Sequence, residues 1–85
     1  MKVEVQAVLF PLDGTRTAAV TKEFVNILEN AGVRCVVGNM AVSCYGDSEV
    51  VLETVRKAYQ TIADKEQLSI SLVIANDVPL IGRKE

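Results

Sequence analysis

Val33-Arg34-Cys35-Val36-Val37-Gly38-Asn39-Met40-Ala41-Val42-Ser43-Cys44-Tyr45, at the middle of an 85-residue chain, decides the fold. Residues Val33 to Val37 are short and β-branched, which favours a strand. Gly38-Asn39 is a tight-turn signal, since such turns need positive φ. Ala41 to Tyr45 then pairs back as a second strand. Each side of this hairpin carries a helical pattern. Upstream, Val20, Phe24, Ile27, Leu28 and Ala31 recur at helical spacing. Thr15 or Thr17 is placed to cap that helix by accepting a backbone N–H. Gly32 stands where a left-handed C′ residue belongs. Downstream, Gly46-Asp47-Ser48 breaks the strand and caps a second helix with the stripe Val51, Leu52, Val55, Tyr59 and Ile62. Glu53 and Lys57 form an i,i+4 pair on its wet side.

The outermost segments are strands. Val3, Val5, Ala7 and Leu9 alternate with Lys2, Glu4, Gln6 and Val8 until Pro11, and Leu12-Asp13-Gly14 turns the chain. Ile70, Leu72 and Ile74 alternate with Ser69, Ser71 and Val73. Asn76-Asp77 and Pro79 end that strand, and Arg83-Lys84-Glu85 reads as a frayed end. The order is βαββαβ. Right-handed crossovers send both helices to one face of the sheet. The expected architecture is an α+β, ferredoxin-like two-layer sandwich: four antiparallel strands, the first and third central, in a single domain over residues 1–85.

Composition narrows the function. The chain is 49% apolar and 24% charged, as globular proteins are. It has no histidine, so a Ser-His-Asp triad, a Cys-His pair and a His-ligated metal site are excluded within one chain. Two cysteines make neither a four-cysteine zinc site nor a disulfide framework. No apolar run approaches the roughly 20 residues of a membrane span. Met1-Lys2-Val3-Glu4 does not read as a signal peptide, and the expectation is a cytoplasmic protein. A net charge of −2 speaks against nucleic acid, whose phosphates need a basic patch.

Two helices cover one face of a sheet. The other face collects Gln6, Val8, Phe10, Val36, Ala41, Ser43, Tyr45, Ser69, Ser71 and Val73, with the charges of Lys2, Glu4 and Arg34 near strand ends. A face turned to water should be mostly charged or long and polar. This one reads as a junction between subunits. It also reads as a ligand surface, in which Gln6, Ser43 and Ser71 hydrogen-bond a small polar ring and Phe10 or Tyr45 stacks on it.

Three stretches resemble the small thiamine-binding proteins that recognise thiamine or its hydroxymethylpyrimidine moiety. They are the first strand running into Phe10-Pro11-Leu12 with Gly14-Thr15, then Ala31-Gly32-Val33-Arg34 through Val37-Gly38-Asn39-Met40, and the second helix from Val51 to Tyr59. Their order spans nearly the whole chain. The resemblance implies a ferredoxin-like fold, homodimers pairing into tetramers, and binding of a thiamine-type pyrimidine without catalysis or a further cofactor. It adds Thr15, Asn39 and Met40 to the ligand-side candidates. Ala41 and Val42 stand where similar proteins often carry a glycine and a threonine.

Other chemistry is weaker. Cys35 and Cys44 share one face of the hairpin and read as small buried hydrophobes rather than a redox pair. Met40 with Cys44 lacks the spacing of soft-metal carriers of this topology. Gly14-Thr15 before a helix is an anion site in principle but more simply a capped loop, beside Asp13, which suits a cationic ligand. Glu49 and Glu53 lie one turn apart on a solvated helix. The phosphate loop of acylphosphatases and the aromatic signature of RNA-binding sheets are absent. The expectation is a non-catalytic binding protein contacting its ligand through Gln6, Phe10, Thr15, Asn39, Met40, Ser43, Tyr45 and Ser71. The alternatives are a regulatory module of the amino-acid-sensing kind and a purely structural oligomer.

Overall fold

Alternating residues 2–11 form the longest strand because every second side chain meets the core. The computed structural model describes residues 1–39 and 41–76. It contains β1 (Lys2–Pro11), a 3₁₀ turn (Gly14–Arg16), α1 (Thr17–Asn30), β2 (Arg34–Val37), β3 (Val42–Asp47), α2 (Ser48–Ala63) and β4 (Leu68–Ala75). The strands form one sheet in the order β2-β3-β1-β4, with every pairing antiparallel. This is the expected ferredoxin-like sandwich, with β1 and β3 central.

Val3, Val5, Ala7 and Leu9 from β1, with Val42 and Cys44 from β3, bury against Val20, Phe24 and Leu28 of α1 and Val51, Val55, Ala58 and Ile62 of α2. Phe24, Leu28 and Ile62 are completely enclosed. The α2 stripe differs from the expected one. Thr54 and Ala58 are inside and Leu52 is exposed, because the buried arc runs through positions 51, 54, 55, 58 and 62. Thr54 tolerates burial because its hydroxyl donates to the Val50 carbonyl at 2.7 Å. The partner of Glu53 is Arg56, one turn on at i,i+3, rather than Lys57. On β4, Leu72 and Ile74 point to the helical side yet are exposed. Helix α2 runs from the end of β3 to the start of β4, so it shelters Leu68 and Ile70 more than the residues that follow.

The helix ends show which local signals prevail. Asp13, not a threonine, caps the turn before α1: its carboxylate accepts from the Thr15 amide at 3.0 Å and the Thr15 hydroxyl at 2.7 Å. The Thr17 hydroxyl donates to the Gly14 carbonyl. Both threonines thus act as donors, Thr15 to the carboxylate two residues upstream, the stronger acceptor, and Thr17 to a backbone carbonyl. Asp47 caps α2 through the Glu49 amide. At the other end of α1, Gly32 N–H donates to Glu29 and Val33 N–H to Leu28, a Schellman motif with Gly32 at φ 88°. Replacing Gly32 by alanine should lower unfolding free energy by about 1–2 kcal/mol, the cost of a Cβ in the left-handed region. A urea melt with an unchanged midpoint would contradict this.

Among the described residues Gly32 is the one with positive φ. Gly38 and Asn39 therefore do not form the expected left-handed turn. The Gly38 amide instead donates to the Ala41 carbonyl at 2.9 Å, so these two residues close the loop. Gly38 eases a close approach: a Cβ there would sit 3.3 Å from the Ala41 oxygen. Met40 and the terminal residues 77–85, including Asp77, Pro79 and Arg83-Lys84-Glu85, lie outside the described residues.

Candidate functional site

Strand register brings the open face together. Gln6 on β1 pairs with Ser43 on β3 and with Val73 on β4. Val8 pairs with Ser71, and Ser43 also pairs with Val36 of β2. Glu4 pairs with Tyr45 and with Ala75, and Tyr45 pairs with Arg34. Glu4, Gln6, Ser43 and Tyr45 therefore form a contiguous block on the two central strands, with Ser71 diagonal to Gln6. Alternation puts all five on the face away from the helices. The Arg34 guanidinium carbon lies 5.7 Å from the Tyr45 ring centre, a cation–π contact that fixes the ring.

Phe10 does not join this block. It pairs with Ser69, six residues along β1 from Glu4, which is about 20 Å at the rise of a strand. One small ring cannot touch both Phe10 and Tyr45, and Tyr45 is the aromatic beside Gln6 and Ser43. Thr15 is also elsewhere, in the 3₁₀ turn, with its hydroxyl committed to Asp13. That bond and the Thr15 amide hold the Asp13 carboxyl below its ordinary range. Asn39 belongs to the helical side, where it lines a cavity of about 70 Å³ with Thr17, Thr21 and Val42. That space is far below the several hundred Å³ of a typical ligand pocket. Met40 lies outside the described residues.

The sequence reading missed Glu4. Placed among charges near strand ends, it is 3% exposed, and its Oε2 has no hydrogen-bond partner among the described residues. A buried polar atom is normally paired, and an orphan calls for a missing partner. Its signal was available in the alternation: Glu4 falls on the same face as Gln6, two residues earlier on β1.

A larger groove of about 500 Å³ opens at the other end of the sheet, lined by Phe10, Leu12, Tyr59, Glu66, Leu68 and Ser69 among others. Its strongest polar groups are already engaged. The Tyr59 hydroxyl donates to the Leu68 carbonyl, and Arg16 donates to both Glu66 oxygens. The open face keeps an unanswered carboxylate, and the groove does not. Among the described residues no cluster of three His, Cys, Asp or Glu could hold a metal, and no helix is long and apolar enough to cross a membrane.

No protein-family model and no curated protein matches the chain. Solved structures do. A hypothetical protein from Methanocaldococcus jannascii superposes with a TM-score of 0.79 at 19% identity, over 91% of this chain and 81% of that one. A Thermotoga maritima protein provisionally assigned to thiamine biosynthesis or salvage gives 0.76 at 18% identity, over 87% and 82%. A Bacillus cereus domain of unknown function, DUF77, gives 0.72 at 24% identity, over 88% and 75%. At these identities the likeness establishes the fold.

Proposed function

We propose that this chain is a non-catalytic binding protein for thiamine or its hydroxymethylpyrimidine moiety, held on the open sheet face where two copies meet. The observation that carries this reading is the orphan Glu4 carboxylate oxygen beside Gln6, Ser43 and Tyr45. An aminopyrimidine supplies the missing donor through its exocyclic amine. Its ring nitrogens accept from the Gln6 amide or the serine hydroxyls, and its flat apolar body suits Tyr45 and the valines around it. Support comes also from the three stretches that resemble thiamine-binding proteins and from the Thermotoga neighbour's assignment.

A second copy fits the same face. Phe10, Val36 and Val73 are each more than half exposed. A partner's sheet would cover them and turn a flat surface into an enclosed site. Such dimers pairing into tetramers are part of the proposal, as is residence in the cytoplasm, where both cysteines rest as thiols.

Ser43→Leu tests the site. Ser43 is half-buried and pairs with Gln6, so a leucine there fills the space for a ligand ring without entering the core. Affinity for hydroxymethylpyrimidine should fall by about tenfold or more, with stability within about 0.5 kcal/mol of the parent. In the parent, amide resonances of residues 4–8 and 43–45 should shift on titration. Unchanged affinity in the variant, with shifts at the 500 Å³ groove instead, would move the ligand there. A stable, specific oligomer that binds no small molecule would favour the structural reading.

A further inference from the structure

We propose that Cys35 and Cys44 form a thiol–disulfide site that closes across the β2–β3 hairpin on exposure to a small-molecule disulfide. The two residues are direct partners in the antiparallel register. The pairing alternates from the Gly38–Ala41 hydrogen bond, so Val36 and Ser43 form a hydrogen-bonded pair and Cys35 and Cys44 a non-hydrogen-bonded one. Non-hydrogen-bonded partners have Cα atoms about 4.5 Å apart with side chains drawn together. A disulfide spans Cα separations of about 4.4–6.8 Å. The bond thus needs only rotation of the side chains, not displacement of a strand. Both cysteines are free thiols.

The surroundings assign each sulfur a role. Cys35 is half-buried on β2, an edge strand of the sheet, whereas Cys44 is completely buried on β3. A reagent therefore reaches Cys35 first. The neighbouring Cys44 thiol holds the Cys35 pKa below its ordinary value, although burial and the Glu29 carboxylate act the other way. The adjacent Cys35 sulfur and burial push the Cys44 thiol up, which keeps its proton on. When neutral, the Cys35 thiol donates to the Val33 carbonyl at 3.8 Å. Cys35 is the attacking thiol and Cys44 the resolving one.

The reaction balances as ordinary exchange. The Cys35 thiolate attacks one sulfur of R–S–S–R. A Cys35–S–S–R bond forms and RS⁻ leaves, taking up the proton that Cys35 released. Cys44 gives its proton to solvent and attacks the Cys35 sulfur. The second RS⁻ departs and is protonated. Two protein thiols lose two electrons, and the small disulfide becomes two thiols. Because Cys44 lies between Ser43 and Tyr45, the new bond ties the edge strand to the strand that presents them. The site does not depend on the identity of the ligand.

Incubating the reduced full-length chain with oxidised glutathione tests this. The intact mass should fall by about 2 Da, and a non-reducing digest should link the Cys35 and Cys44 peptides. A stable glutathione adduct with Cys44 still alkylatable after unfolding would overturn the proposal, as would chains joined through Cys35 or no reaction. Cys44→Ser should trap glutathione on Cys35, and absence of that adduct counts against Cys35 as the attacking thiol. In the untreated native chain, iodoacetamide should label Cys35 roughly 100-fold faster than Cys44, which reacts only after local opening. Equal rates would refute the assignment of roles.

Discussion

A chain carrying Glu4→Leu should be more stable than the parent and unable to bind its ligand. Glu4 is buried, and its Oε2 has no hydrogen-bond partner among the described residues. An unanswered buried polar group costs about 1–3 kcal/mol, and a leucine of similar size removes that cost while extending the apolar surface between Tyr45 and Ala75. Unfolding free energy should rise by about 1–3 kcal/mol, or roughly 4–24 °C in melting temperature for a domain of this size. Hydrogen bonds to a charged group are worth about 1.5–3 kcal/mol, so ligand affinity should fall by about 10- to 150-fold. Glu4→Gln keeps the shape and loses the charge, and should fall between the two. The opposing signs are the point: a residue kept for packing would lose stability on substitution, and a bystander would leave affinity alone. Destabilisation by Glu4→Leu, or unchanged affinity, would sink the assignment.

Phe24→Ala should have the largest effect on folding. Phe24 is completely enclosed in α1, within the core formed by both helices and the inner sheet face. Emptying such a site costs about 3–5 kcal/mol through lost burial and the cavity left behind. A chain of this length has of the order of 4–13 kcal/mol in total. The variant's urea midpoint should therefore drop by about a quarter or more at matched protein concentration. A loss under about 1 kcal/mol would mean that the two layers pack differently from the arrangement described here.

The fold was legible because two periodicities do not overlap. Val3, Val5, Ala7 and Leu9 repeat at two, and Val20, Phe24 and Leu28 at helical spacing, so few topologies were open once the central hairpin was recognised. Local chemistry was harder. Gly38 read as a conformational requirement, yet it serves the close approach of the Ala41 carbonyl. Thr15 and Thr17 read as caps, but the choice between acceptors depends on where Asp13 points. Leu72 and Ile74 are apolar residues at pattern-correct positions that the helices do not shelter, and Leu52 falls off the buried arc of α2.

The candidate site was half legible. Gln6, Ser43, Tyr45 and Ser71 share a face by alternation alone, and register places them as neighbours. Phe10 came from the same alternation, but the length of β1 carries it away from that block, and Thr15 and Asn39, which came from the resemblance, lie off the strands altogether. Glu4 was overlooked because a glutamate near a chain end ordinarily reads as solvated. It stands between Tyr45 and Ala75 on the two flanking strands, a placement that no single stretch of sequence contains.

The central claim is that the open sheet face binds a thiamine-type pyrimidine. Calorimetric titration of the parent protein with hydroxymethylpyrimidine and with thiamine, at a concentration where its oligomeric state is established, tests it most directly. Saturable binding of either at a micromolar dissociation constant, roughly −8 kcal/mol, is the predicted result. Heats equal to dilution for both compounds would contradict it.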